Sequence, residues 1–348
     1  MKRMPLSFSL IWMAALGSLL GALPGAAGTE PLLVNAGNFT RAETDLYFGN
    51  TVKDGGFGKL VHAREMTPID QQKVVRMNRD TIYSSGVFDL DAAPLTIILP
   101  EAGKRFMSMQ VVSEDHYTLE VAHGAGKHEY TREAVGTRYV FIIIRTLADP
   151  GDLADMKAAH ALQDAIQVQQ ARTGKWEVPV WDPGSQKKVR DALAVLGSMH
   201  NDGMDAMFGA KGEVDPVSHL IGTAIGWGGN PKSAAMYTSA YPDPNDGKTA
   251  FELTVKDAPV DGFWSVTVYN KDGYFTPNDL GRYSFNNLTA KPSADGSVTI
   301  QFGGDPKGAA NYLPITPGWN YTVRLYRPRA EILEGKWKFP AAEVMEAP

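Results

Sequence analysis

The chain has 348 residues, 34 basic against 39 acidic for a net charge of -5, and no cysteine. Missing thiols exclude disulfides, thiolate zinc sites, iron–sulfur ligation and cysteine nucleophiles together, so stability must rest on packing. The acidic balance, with basic residues scattered singly or in pairs such as Lys187 and Lys188, argues against the concentrated basic face of a nucleic-acid binder.

The chain opens on Met1, Lys2 and Arg3, followed by a nearly all-apolar run over 6–20 between Pro5 and Pro24, then Gly25, Ala26, Ala27 and Gly28. That order predicts a signal peptide cleaved near Ala27, because the run is shorter than the roughly 20 residues a bilayer requires and small residues suit a signal peptidase. The expected destination is secreted or periplasmic, with no stable membrane span after cleavage. What remains is longer than one core usually organises, so two domains are expected.

In chain order, residues 43–48 predict a short helix, followed by a turn at Gly55, Gly56 and Gly58. Residues 95–99, 106–112 and 139–145 read as strands from their β-branched, alternating or continuous apolar patterns. Asp149-Pro150 is expected to open a helix in which Leu153, Met156, Ala159, Gln163 and Ile166 share a face, ending near Gly174. A linker over 176–184 leads to a second helix over 186–199, with Val189, Leu193 and Leu196 on one side. The stretch from Gly212 to Asn245 is rich in glycine and proline and reads as the boundary between halves. Strands then resume at 251–255, 263–270, 297–302 and 320–327, with Asp272-Gly273 and Asp295-Gly296 as hairpin turns. The fold class expected is mainly β with some α: two β-sandwich, jelly-roll-like domains joined by a helical connector. The divisions are a leader at 1–27, an N-terminal β-rich domain at 28–185, a connector at 186–245 and a C-terminal sandwich at 246–348.

Motifs with a known mechanism fail on specific residues. Gly247-Lys248-Thr249 lacks its phosphate-loop glycine because Pro242 occupies the place. Gly56-Phe57-Gly58 and Gly124-Ala125-Gly126 have Val61 and Glu129 where a dinucleotide fingerprint needs glycine. No Gly-x-Ser-x-Gly or His-Glu-x-x-His occurs, and His116, His123 and His128 are not at metal-ligand spacing on a helix, so neither metal nor cofactor is expected.

Two constellations stand out. Asn78-Arg79-Asp80-Thr81-Ile82-Tyr83-Ser84 gathers an amide, a guanidinium, a carboxylate and a phenol, which either locks a loop by an Arg–Asp pair or forms an anion- or hydroxyl-binding edge. Close behind, Asp115, His116 and Tyr117 put a carboxylate and an imidazole together, so Asp80, Asp115 and His116 are the candidate acid–base residues. Asp115 and His116, as strand neighbours, are expected to face opposite ways. The second constellation is aromatic. Trp264, Tyr269, Tyr274, Phe275, Arg282, Tyr283 and Tyr326, with Trp227 before them, suit a core, while the tyrosines beside polar turns suit a ligand surface. The candidate binding residues are therefore Asn78, Arg79, Tyr83, Tyr117, Trp227, Trp264, Tyr274, Arg282 and Tyr283.

Several of these segments, in order, resemble a paired bacterial family. Asn-Arg-Asp-Thr-Ile-Tyr-Ser at 78–84, Val-Phe-Asp-Leu at 87–90, Gly-Lys-Arg-Phe-Met-Ser-Met-Gln-Val at 103–111 and Glu-Asp-His-Tyr at 114–117 are similar to domain of unknown function 1254. Gly-Phe-Trp-Ser-Val-Thr-Val-Tyr at 262–269, Asn286-Asn287, Asn-Tyr-Leu-Pro at 311–314 and Leu-Tyr-Arg-Pro at 325–328 are similar to domain of unknown function 1214, and Trp227-Gly228-Gly229 joins the two. The resemblance implies two sandwich-type domains in an exported bacterial protein and supplies no catalytic residue. Three functions stay open: a binding protein for a polar small molecule or saccharide held between the domains, a hydrolase or lyase using Asp80, Asp115 or His116, and an envelope scaffold, each compatible with an oligomer.

Overall fold

A computed structural model describes residues 30–72, 75–199 and 206–345, so the leader expected at 1–27 lies outside the described residues. The first half holds helices α1 (Phe39–Lys53), α2 (Arg132–Val135) and α3 (Leu153–Asp164). Its strands are β1 (Val61–His62), β2 (Thr81–Asp89), β3 (Leu95–Leu99), β4 (Met107–Ser113), β5 (Thr118–His123), β6 (Gly126–Tyr130), β7 (Tyr139–Leu147) and β8 (Gln167–Gln169). They form a five-stranded sheet ordered β1-β2-β7-β4-β5 and a three-stranded sheet ordered β6-β3-β8. Between them Phe88, Leu95, Ile97, Met109, Val111, Ile142 and Ile144 build one core.

Strand β3 alternates buried and half-buried residues, as expected of a sheet with one wet face. Strands β4 and β7 are instead buried along nearly their whole length. The outer face of their sheet is covered too, by α1 at one end and by the second half of the chain at the other. Gly86 on β2 is required by the segment between α1 and β1, which runs against that strand. A Cβ there would stand 2.4 Å from the Lys59 carbonyl oxygen, so Gly86→Ala is expected to cost about 2 kcal/mol in urea unfolding, since backbone cannot yield as a side-chain tip does.

Helix α3 starts later than Asp149-Pro150 suggests, because the Asp152 carboxylate accepts from the Ala154 and Asp155 N–H groups and caps it. It also stops ten residues short of Gly174. Gln-Val-Gln at 167–169 has the alternation of an edge strand, and pairing with β3 takes it out of the helix.

Helices α4 (Pro183–Ser198) and α5 (Pro216–Gly226) follow, capped by Asp182 and Asp215, each with proline in the first turn. Helix α5 falls inside the stretch expected to be irregular. The two pack on α1 through Phe39, Ala42, Leu193, Phe208 and Ile221.

The second half holds β9 (Ala235–Ala240), β10 (Phe251–Val255), β11 (Trp264–Tyr269), β12 (Ser284–Asn286), β13 (Val298–Phe302), β14 (Tyr312–Leu313), β15 (Asn320–Tyr326), α6 (Ala330–Leu333) and β16 (Glu343–Val344). One sheet is ordered β12-β11-β15-β9 and the other β14-β13-β10-β16, with Val266, Ile300, Phe302, Trp319, Tyr321 and Val323 between them. The fold is mostly β, in two sandwiches. Strand β9, from the segment read as connector, pairs with β15 over six residues and is part of the second sandwich. Asp272-Gly273 and Asp295-Gly296 both make tight turns, with Gly273 and Gly296 at φ of 82° and 83°. Neither is a simple hairpin, since the first runs on into a long loop and the second crosses from one sheet to the other. Among the described residues no helix is long and apolar enough to cross a membrane.

Candidate ligand-binding cleft

The two sandwiches meet outer face to outer face. On β15, Tyr321, Val323 and Leu325 point into the second core, so the alternate residues Thr322, Arg324 and Tyr326 must point out of it. Residues 76–80 of the first half lie on that outer face. The Arg324 guanidinium donates to the Arg76 carbonyl at 2.8 Å, and the Tyr269 hydroxyl donates to the Met77 carbonyl at 2.8 Å. An apolar seam of Phe106, Leu147, Ala235, Phe263 and Tyr326 closes one side, with Phe263 stacked on Tyr326 at 4.2 Å.

Beside the seam a cleft of about 510 Å³ stays open. From the first sandwich it is lined by Asn78, Tyr83 and Arg145, and from the second by Tyr237, Arg324 and Tyr326, with Arg76 on the loop between and the ends of α4 and α5 as a further wall. Tyr83 and Arg145 face each other across β2 and β7, and the guanidinium lies 5.8 Å over the phenol ring. No carboxylate lines this cleft among the described residues.

Both principal cations are buried, Arg145 at 6 % and Arg324 at 3 % exposure. Arg145 donates to the Gln110 Oε1 at 2.8 Å, to the Asn230 Oδ1 at 3.4 Å and to the Gly228 carbonyl at 3.1 Å, all neutral acceptors. Arg324 donates to the Thr267 and Tyr269 hydroxyls at 2.8 and 2.7 Å. The Asn78 amide donates to the phenol oxygens of Tyr83 at 3.2 Å and Tyr326 at 3.0 Å, bridging the two sandwiches. Burial holds the Tyr326 phenol well above its ordinary range, so it stays protonated.

The run from Asn78 to Tyr83 does not act as one constellation, because successive residues leave the loop in different directions. Asn78 and Tyr83 reach the cleft. Asp80 is buried beneath it, accepting from the Asn286 amide at 3.1 Å; burial raises its pKa against the pull of Arg324. Arg79 turns to a separate pocket of about 290 Å³ that it shares with Arg282, Tyr283 and Lys291, its guanidinium 5.5 Å over the Tyr283 ring.

Asp115 and His116 sit in the turn between β4 and β5. The Asp115 carboxylate pairs with Arg41. His116, at φ 63°, is buried in a column of five rings: Tyr47 on Trp227 at 4.4 Å, Trp227 on His116 at 5.4 Å, His116 on His219 at 5.4 Å and His219 on Tyr117 at 4.6 Å. Its Nε2 accepts from the Gly228 N–H at 2.8 Å and its Nδ1 meets the Thr223 hydroxyl at 2.9 Å. Burial lowers its pKa to about 3, leaving a neutral ring with both nitrogens committed. Asp80, Asp115 and His116 therefore share no site. Trp264 is in the second core, and the Tyr274 N–H donates to the Asn270 side chain within its turn. Among the described residues no three metal-ligating side chains gather.

The column nonetheless serves the cleft. It anchors Trp227-Gly228-Gly229, whose carbonyls accept from Arg145 and from Gln110, the latter at 2.8 Å. Arg145, Arg324, Tyr237 and Tyr326 were not among the expected site residues. The available signal was an arginine inside each of two strands otherwise apolar enough for full burial, Ile-Ile-Ile-Arg at 142–145 and Val-Arg-Leu at 323–325.

Residues 57–134 match the family described as protein of unknown function DUF1254, and residues 234–330 the family described as protein of unknown function DUF1214. The chain carries a DUF1254 match followed by a DUF1214 match. The DUF1254 stretch carries Asn78 and Tyr83, the DUF1214 stretch carries Tyr237, Arg324 and Tyr326, and Arg145 lies past the end of the first match. No curated protein matches the chain. The VPA0106 protein from Vibrio parahaemolyticus has a similar structure, with a TM-score of 0.68 at 19 % identity over 89 % of this chain and 97 % of that one. An uncharacterized protein from Burkholderia cenocepacia reaches a TM-score of 0.51 at 13 % identity, over 89 % and 87 %. At these identities the likeness speaks for the fold alone.

Proposed function

We propose that the mature chain, exported by its leader, is a binding protein that holds a small oxyanion-bearing molecule, such as an acidic saccharide, between its two sandwiches. The observation that carries this reading is that Arg145 and Arg324 reach one cleft from opposite sandwiches, both buried, with only neutral hydrogen-bond acceptors. Buried guanidinium groups normally keep a carboxylate partner, because an uncompensated charge in low dielectric is costly; buried Asp80 offsets part of the Arg324 charge from beneath the cleft, whereas every hydrogen-bond acceptor of Arg145 is neutral. A carboxylate or phosphate group entering the cleft supplies that partner and gains charge-assisted hydrogen bonds. Since Asn78 donates to the Tyr83 and Tyr326 oxygens, both hydroxyl protons remain free to donate to a guest. The volume, about 510 Å³, suits a small molecule.

The test is a thermal-shift screen of matched pairs, uronic acids against their neutral sugars and sugar phosphates against sugars, on the wild type and on Arg145→Gln and Arg324→Gln. An acidic member at about 100 times its Kd should stabilise the wild type by about 2.7 kcal/mol, and either variant should lose most of that shift. Equal shifts from the neutral partners, or acidic shifts that survive in both variants, would remove the reading.

A further inference from the structure

The second sandwich contains a cavity that the cleft does not use. The same strand serves both: β15 turns Arg324 and Tyr326 toward the cleft, and Tyr321, Val323 and Leu325 toward the sandwich interior. At the β9 edge the opposing sheet ends in β16, a strand of two residues, so the inner face of β9 and β15 has no full strand across from it. Residues 335–341, following α6, bridge the gap as a strap. The strap is held by the Ala342 N–H donating to the Tyr321 hydroxyl at 3.0 Å and by Phe339 packing on Trp264 at 5.8 Å. Under it lies a space of about 440 Å³ walled by Met236, Val323, Leu325, Ile332, Trp337 and Phe339.

We infer that this cavity is a second binding site, which takes the hydrocarbon chain of a fatty carboxylate with its head group at Lys338. The walls are mostly aliphatic and aromatic, with Thr238 and the rim Lys338 as the polar members, and a concave apolar surface of this size suits a hydrocarbon chain. Charge picks the head group. Lys338 is exposed at the rim of the cavity and, among the described residues, pairs with no acid, whereas its neighbour Lys336 is paired with Glu334. A chain buried under the strap thus ends beside one free ammonium group, which suits a carboxylate and gives an uncharged alcohol nothing.

Isothermal titration of the full chain with dodecanoate, and separately with dodecan-1-ol, tests the assignment. Dodecanoate should bind one to one. Ala240→Trp, on β9 at the cavity wall, should weaken both ligands at least tenfold by filling the space, and Lys338→Glu should weaken dodecanoate about fivefold while leaving the alcohol unchanged. If Ala240→Trp fails to fold, the exposed Lys338 variant decides alone. Absence of dodecanoate binding to the wild type, or indifference to Lys338→Glu, overturns the inference. So does loss of binding in Arg145→Gln, which would put the acid in the interdomain cleft instead.

Discussion

Trp227→Ala should destabilise the protein by about 3–4 kcal/mol in urea unfolding and weaken anion binding in the cleft as well. Trp227 is the middle of the contact between α1, α5 and the β4–β5 turn, with Tyr47 parallel to it at 4.4 Å and 5°, and His116 on its other side. Its edge meets Phe48 and Phe141, and its indole N–H donates to the Thr44 hydroxyl at 3.1 Å. Truncation opens a cavity that three separate elements would have to collapse together to fill, which places it at the costly end for a large-to-small change. Trp227→Phe keeps a stacked ring but loses the Thr44 hydrogen bond and part of the ring volume, so about 2 kcal/mol is expected. The binding defect follows because the next two residues offer their carbonyls to Arg145 and Gln110. If Trp227→Ala unfolds at the wild-type urea midpoint, the column is not a structural hub.

The pH dependence of stability should change shape in Asp45→Asn. Burial raises the Asp45 carboxyl to about 7, against an indole N–H donated by Trp181 at 2.8 Å, and the neighbouring Glu114 charge pushes it the same way. Between about pH 4 and 7 the folded state therefore holds a proton that the unfolded chain has released, so stability falls as pH rises. His116 works in the opposite sense. With its folded pKa near 3 and an unfolded value near 6.5, the unfolded chain takes up a proton as pH falls through that window while the folded protein does not, so stability is lost on acidification. The two slopes oppose each other between about pH 4 and 6.5. Removing the carboxyl leaves the histidine uncompensated, so the variant should lose about 1.4 kcal/mol per pH unit relative to the wild type on acidification across this range. Above pH 7 the variant should be the more stable by about 4 kcal/mol, and urea melts at half-unit intervals from pH 4 to 8 measure both. Parallel profiles for wild type and variant would show that Asp45 titrates normally.

The strands were legible where one local pattern governed them. Residues 95–99 alternate because one face of β3 is wet, and 139–145 run apolar because both faces of β7 are covered. The ends of α3 and the whole of β8 and β9 were not. Gln-Val-Gln and Ala-Met-Tyr-Thr-Ser-Ala carry too little apolar character to announce a strand, and become strands by completing the edges of sheets whose other members lie far away in sequence. The same limit governed the site. Asn78 and Tyr83 stand in a conspicuous polar run, whereas Arg145 and Arg324 look like stray charges until two sheets bring them to one cleft.

Composition and spacing alone thus determined that this chain packs without cysteine and divides into two β-rich halves, because these are properties of residue type and short-range order. Facing was decided only in three dimensions. Alternation along a strand says that neighbours point opposite ways, but which side meets another sheet depends on the register of distant strands. That register placed His116 in a sealed ring column, Trp264 in a core, and two unannounced arginines on opposite walls of the cleft.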